Sequence, residues 1–355
     1  MENNINMRFI INSKDLLKGL NTVKKAIKNN NSLPILGCVV MEAKGDQLHL
    51  KGGDGEVYIS TKVNILDGED GGCAVPIKLL FDAVRNLPDI GIGISVEGNL
   101  FKCDYNNGSF ELGINNLDEY PTVEAPDSEV IGITDTKSIK LASSYVADDE
   151  LRPVMNGVLL DFTLGHVVSS DGHKLYRSES ILPNGEQMVI IPPNGLNAIK
   201  DMNSFEVSFD ERNILFKDGD TVVISRLIEG RYPNYNSVIP KSNPYTYEVD
   251  RFSLIQALKR VGVMASETSS LVKLEFNQGK LKVSAQDLDF STKASEVLSC
   301  NGTEELTIGF KGTFLEQILN GISGDIVRCE LSDPSRAGIF KGETDEVFLL
   351  MPMVL

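Results

Sequence analysis

The sequence has no tryptophan, three histidines and five cysteines, and each shortage closes off a kind of chemistry. With only His49, His166 and His173 available, a histidine-rich metal centre is excluded. Cys38, Cys73, Cys103, Cys300 and Cys329 are scattered, odd in number and without a CxxC pair. Most lie in apolar runs such as "ILGCVVM" and "DIVRCEL", the setting of buried reduced thiols rather than of zinc ligands or disulfides. No stretch approaches the roughly 20 apolar residues that span a bilayer. The opening "MENNINMRFI" lacks the basic start and apolar core of a signal peptide, so a cytosolic protein is expected. The six residues before Met7 read as a short extension ahead of the first strand. Positive charge is also scarce: Lys and Arg number 34 against 50 Asp and Glu, a formal net charge of −16. Taken alone, that acidity argues against a nucleic-acid partner. The motifs GxxxxGK[ST], GxGxxG and HExxH are absent.

What is present is a folded composition, 41% hydrophobic and 24% charged, over 355 residues that suit two or three domains. The chain repeats itself. "FIINSKDLLKGLNTV" reads as a strand entering an amphipathic helix, and the phrase returns as "IGITDTKSIKLASSYV" and "TYEVDRFSLIQALKRV". Aligning Ile11, Ile133 and Val249 also aligns Leu17, Ile139 and Ile255, with spacings of 122 and 116 residues. Asn12, Thr134 and Asp250 fall at the N-cap positions of the three helices. Downstream, each repeat continues with strands, a second helix ("CAVPIKLLFDAVRNL", "VIIPPNGLNAIKDM", "TIGFKGTFLEQIL") and further strands. The expected fold is α+β: three similar tandem domains at 7–130, 131–246 and 247–355, each with two helices on antiparallel sheets of about eight strands. Such units form an arc that closes into a ring if copies join head to tail.

The six helical windows carry an unexpected share of the positive charge. Residues 14–30 hold +4, 76–88 hold +1, 137–147 hold +2 and 251–264 hold +3, while 192–203 and 311–324 are neutral. Together they carry +10, which leaves −26 on the rest of a chain whose total is −16. Lysines on one helix ordinarily form a solvated face. Segregation over all six suggests instead a positive surface that binds phosphate backbones without reading bases. Lys24, Lys25, Lys28, Lys78 and Lys259 are its candidate contacts.

The most enzyme-like stretch is "SSDGHKLY", where Asp171 and His173 could form a general-base pair beside Ser169 or Ser170. Its counterparts in the other repeats, "GGDGEVY" and "SAQDLDF", contain no histidine. The acidic run at Asp148, Asp149 and Glu150 lacks metal-ligand spacing. A hydrolase or transferase centred on Asp171 and His173, and an acidic scaffold without a nucleic-acid role, stand as the alternatives to a DNA-binding scaffold.

Several stretches, in order, resemble one family: "SLPILGCVV", "LRPVMNGVLLDF", "SSDGHKLYRS", "LIEGRYPNYNSVIP", "DPSRAG" and the terminal "MPMVL". The resemblance is to the bacterial DNA polymerase III β subunit, the sliding clamps, and it runs from Met7 to Leu355. It implies a DNA clamp fold in which a head-to-tail homodimer of six similar domains encircles duplex DNA. It also implies a processivity factor of the replicative polymerase, with no catalytic activity, no cofactor, no metal and no membrane. A cleft between the second and third domains would receive short motifs of polymerases, the clamp loader and repair proteins. Matching positions from the second domain are Met155, Ser170, Gly172, His173, Lys174 and Leu175. Those from the connection and third domain are Pro233, Val238, Leu349, Met351, Pro352, Met353 and Leu355. Matching positions at the dimer contact are Phe110 and Leu112 on one side, Val263 and Met264 on the other. Arg152 carries over as a DNA contact. The chain departs from the family's pattern at Pro153 and Val154, in the asparagines of "NNNSL", and at Ser237 and Val354.

Overall fold

Alternation with a period of two governs most of the chain. In the first strand, Met7–Asn12, the side chains of Met7, Phe9 and Ile11 are buried while Arg8 and Ile10 face solvent, so one face is left for a helix to cover. The computed structural model describes residues 7–28, 33–127, 130–133, 136–183 and 185–355. Among them lie six α-helices: α1 (Ser13–Lys24), α2 (Ile77–Val84), α3 (Thr136–Ala142), α4 (Pro193–Ile199), α5 (Arg251–Gly262) and α6 (Gly312–Gly321). Among the described residues the first repeat contributes nine strands and the other two eight each, against the expected eight.

Two of the three expected caps are made. The Asn12 carboxamide accepts from Lys14 N at 2.8 Å and the Asp250 carboxylate from Ser253 N at 2.7 Å. Thr134, the asparagines 29–31 and the six residues before Met7 lie outside the described residues. The helices are shorter than their charge windows. After Lys24 the chain tightens into two turns, Ala26 N to Val23 O and Ile27 N to Lys24 O, so Lys25 and Lys28 lie beyond α1.

The chain divides into two compact units that do not follow the repeats: one is Met1–Thr136 with Ile191–Leu227, the other Lys137–Ile190 with Ile228–Leu355. The middle repeat is thus shared. In the first unit, strands Gln47–Gly53 and Val57–Asn64 of the first repeat sit in an eight-stranded antiparallel sheet. That sheet continues through Thr221–Arg226 into the middle repeat, with Ile59 opposite Val223. Leu16, Leu20 and Val23 of α1 are fully buried, and Gly19 lets α1 approach so closely that the Leu50 side chain occupies the space a Cβ would need. A second, five-stranded sheet ends on Gly108–Gly113, whose only strand partner among the described residues is Leu100–Tyr105.

The second unit is built on one sheet of twelve strands. Here Lys174–Arg177 of the middle repeat pairs with Val347–Leu350 of the last, Leu175 opposite Leu349 and Tyr176 opposite Phe348. Strand Thr292–Asn301 pairs along its length with Lys280–Asp287. On its other side only Cys300 and Asn301 find partners, in Val249 and Glu248. The remainder of that edge is open among the described residues.

The cysteines sit as expected. Cys38, Cys73, Cys103 and Cys329 are buried and Cys300 is half-buried, all as free thiols. Burial pushes the Cys73, Cys103 and Cys329 thiols up to about 12, which leaves almost no thiolate at neutral pH. A thiol titration with a disulfide reagent at pH 8 should therefore give a single prompt reaction, at Cys300, and all five only in denaturant. Three or more prompt thiols in the native protein would contradict this packing.

Candidate functional site

The site starts at a tight turn between two strands of the middle repeat, His166–Ser170 and Lys174–Arg177. Asp171 builds the turn: its Oδ1 accepts from the backbone N–H of both His173 and Lys174 at 2.8 Å. Gly172 has φ of +90°, a conformation that side chains resist, and the Arg152 Nη1 lies only 3.3 Å from where a Cβ would stand. Ser170 Oγ donates to Lys174 O at 2.8 Å and accepts from Gly172 N at 3.1 Å. Ser169 is buried and donates to Ala142 O. Asp171, Ser169 and Ser170 are thus all engaged in holding backbone. The His173 ring stands exposed, its centroid 6.5 Å from that of Phe314.

Strand alternation sorts the residues that follow. Leu175 is buried in an apolar cluster with Leu159, Val168, Ile190, Tyr232, Tyr235, Ala337 and Leu349, against which Val154 and Ile239 also pack. Ser170 lies opposite Leu175, on the same face. Lys174 points the other way. Its side chain is 5% exposed, with Nζ 3.1 Å from both Asp171 Oδ2 and Ser144 O, and it lies against the rings of Tyr145 and Phe314. The expectation that Lys174 lines the cleft is corrected: in a strand, neighbours of Leu175 face away from it.

Beside the turn the last residues leave the sheet. Met351 N donates to His173 O at 2.8 Å, which carries the chain past the turn, and Met353 N donates to Gly309 O at 2.8 Å. Met351 is 41% exposed and Val238 is 57% exposed, while Pro352 and Met353 are half-buried and Pro233 is open to solvent. Met155 is buried in the short helical turn Pro153–Asn156, where its carbonyl accepts from Ala147 N. Leu355 stands apart, packed on Leu271 and over Gly309.

Three residues that sequence reasoning missed hold the wall carrying Val238. Tyr235 donates its hydroxyl to Asp161 Oδ2 at 2.7 Å, and His166 Nδ1 lies 3.0 Å from the same hydroxyl. Since that hydroxyl proton goes to the carboxylate, Nδ1 carries the proton of a neutral imidazole and donates. Burial, then Arg177, hold the His166 pKa low, against the pull of Asp161. These partners lie 69 and 74 residues apart, beyond any local signal.

The candidate phosphate contacts are largely engaged within their own units. Lys25 pairs with Asp201 at 2.6 Å, Lys28 with Asp54 at 2.6 Å and Lys259 with Glu316 at 3.6 Å. Lys24 lies 3.6 Å over the Phe81 ring, and Lys78 is exposed. Arg152 donates to Asp149 at 2.7 Å and rests on Gly172, at the turn rather than on a helix.

Three models of one family match the chain in sequence. The N-terminal domain of the DNA polymerase III beta subunit matches residues 7–124, its central domain 136–234 and its C-terminal domain 236–354. The chain is 29% identical to the beta sliding clamp of Pseudomonas aeruginosa and 27% identical to that of Escherichia coli, in each case over 98% of this chain and 100% of the relative. Its fold is that of a Pseudomonas aeruginosa sliding clamp solved bound to griselimycin, with a TM-score of 0.92, 28% identity, and 98% and 100% of the two chains covered.

Two residues of the same turn can be told apart by experiment. Asp171→Ala removes two amide contacts and strands the buried Lys174 amine, so urea unfolding should show a loss of about 2 kcal/mol. His173→Ala removes an exposed ring and should stay within about 0.5 kcal/mol of the parent. Equal losses would mean that Asp171 does not hold the turn.

Proposed function

The chain belongs to the DNA polymerase III beta subunit family, and from that premise we propose that two copies join head to tail into a ring around duplex DNA. It is a sliding clamp, a processivity factor for the replicative polymerase. In this reading it catalyses nothing itself. Its three repeats act as domains at 7–130, 131–246 and 247–355, and the helices of both copies face the duplex.

One observation carries the ring. Within each unit, a strand of one repeat pairs with the last strand of the next: Val57–Asn64 with Thr221–Arg226, and Lys174–Arg177 with Val347–Leu350. Two equivalents are left over, Thr292–Asn301 in the third repeat and Gly108–Gly113 in the first. The same pairing carried one step further joins Thr292–Asn301 of one copy to Gly108–Gly113 of another. This contact is heterologous, and it closes when both copies make it. The side chains at these edges suit burial: Phe110 and Leu112 are half-buried, Val263 is 75% exposed and Phe290 is 78% exposed. Met264 follows Val263 at the same end of α5.

The cleft over Leu175 and Leu349 would take an apolar peptide anchor from a polymerase, a clamp loader or a repair protein. Met351 and Met353 supply an adaptable wall, with the exposed His173 at the rim. The DNA contact would be to phosphates only, without sequence preference.

Mass measurement in solution should give a dimer that is retained on closed circular DNA after loading and lost from linear DNA. Phe110→Asp should yield monomers. A stable monomeric parent at micromolar concentration, with no retention on the circle, would defeat the ring. Deleting Met351 to Leu355 should weaken a peptide with an apolar leucine and phenylalanine anchor at least tenfold while the dimer persists. Unchanged affinity in a folded truncation would place the cleft elsewhere.

A further inference from the structure

The last residues lead from the cleft to a second depression in the same unit. From Met351, bonded to His173 O, the chain passes Met353, bonded to Gly309 O, and ends with Leu355 against Leu271. There Leu271, Lys273, Lys282, Ser284, Lys293 and Leu355 line a cavity of about 260 Å³. The three lysines come from three adjacent strands, Leu271–Asn277, Lys280–Asp287 and Thr292–Asn301. Registers Lys273 to Ser284, Ser284 to Ser295 and Gln286 to Lys293 put them on one face. Leu274, Leu281 and Val283 occupy the opposite, buried face, where α5 packs.

In a body as acidic as this one, such a face is unusual. Among the described residues Glu275 supplies a side-chain carboxylate within it, 3.2 Å from both Lys273 and Lys282. Burial would raise its pKa, but the two ammonium groups outweigh that and hold it down. Lys293 is exposed, and Lys280 extends the same face by one pleat. The face therefore keeps an excess of positive charge around an apolar floor. It also lies opposite the helices, so in the ring it points away from the encircled duplex and has no phosphate to meet there.

We propose that this basic pocket receives acidic residues flanking the apolar anchor of a peptide bound in the cleft. The inference rests on the cleft reading and extends it. The four Cα-to-Cα steps from Met351 to Leu355 span about 13 Å when extended, so a flank of similar length reaches from the rim to the lysines. The apolar part of the floor, Leu271 and Leu355, would take an aliphatic residue among the acidic ones. Contacts at such a rim add modest affinity, are screened by salt, and favour one class of flank over another.

The test uses the full chain and a synthetic peptide with a leucine and phenylalanine anchor. It is compared bare, with four glutamates added before the anchor, and with four added after it. On the parent protein at about 50 mM salt, one acidic flank should tighten binding about fivefold. The gain should vanish with the triple variant Lys273→Gln, Lys282→Gln and Lys293→Gln, and also at about 500 mM salt. The bare peptide should bind parent and variant alike. No gain from either flank, or the same gain on the variant, overturns the proposal and leaves the cleft standing. Failure of the bare peptide to bind removes the cleft reading and the proposal together. A single-stranded oligonucleotide that binds the parent, loses affinity on the triple variant and displaces the acidic flank would reassign the pocket to nucleic acid and overturn the peptide proposal.

Discussion

The pairing of Lys174–Arg177 with Val347–Leu350 is the constraint on which the site depends. It makes the sheet of the middle repeat continuous with that of the last, and it sorts side chains to two faces at once. Leu175 and Leu349 meet on one face, in the apolar cluster that the proposed cleft has as its floor. Tyr176 and Phe348 meet on the other, their ring centroids 5.1 Å apart, with Tyr145 packed against both. A slip of one residue would move the aromatic pair to the cleft and the leucines beneath α3, exchanging a shallow apolar floor for bulky rings. Tyr176 adds a second lock. Its hydroxyl donates to the buried Glu346 at 2.6 Å, which only the observed register allows.

The turn and the tail are consequences of that register. With Lys174 opposite Leu350, Met351 emerges beside His173 and bonds its carbonyl. Proline at 352 supplies no N–H to continue the ladder, so the chain leaves the sheet at that point and bonds next through Met353 to Gly309. The apolar C-terminal segment is thus tied along folded surface by two backbone hydrogen bonds, with Met351, Val354 and Leu355 still exposed. The Asp171 turn fixes the other side of the same rim with amide hydrogen bonds, and it positions the His173 carbonyl that Met351 uses.

Local features of this fold are legible in the sequence because local chemistry produces them. Period-two burial, the caps at Asn12 and Asp250, and the repeat of strand, helix and strands all follow from neighbouring residues. Pairing between repeats does not, since Leu175 and Leu349 are brought together only when two repeats share a sheet. The Asp161, Tyr235 and His166 network is hidden for the same reason. Lys174 shows a different failure: resemblance placed it in the cleft by position, while strand alternation turns its amine to Ser144 on the far face. Helix ends are equally hard to read locally: α1 stops at Lys24, so Lys25 and Lys28 belong to the turns after it.

The ion pairs made by these lysines bear on how a duplex would be held. Lys25 with Asp201 and Lys259 with Glu316 are exposed pairs, worth about 0–1 kcal/mol each. In the proposed ring a phosphate would replace either carboxylate at little net change, and each such contact would be weak and readily exchanged for the next along the backbone. Lys28 differs, because Asp54 is 3% exposed and also accepts from the amides of Glu56 and Val57. That pair favours structure over release to a phosphate. The rest of the chain is strongly negative as a whole, which disfavours DNA over most of its surface. Weak, exchangeable contacts cannot by themselves keep a protein on DNA against salt. In the proposed ring, retention would come from closure, and the strength that affinity does not supply would reside in the seam strands joining one copy to the next.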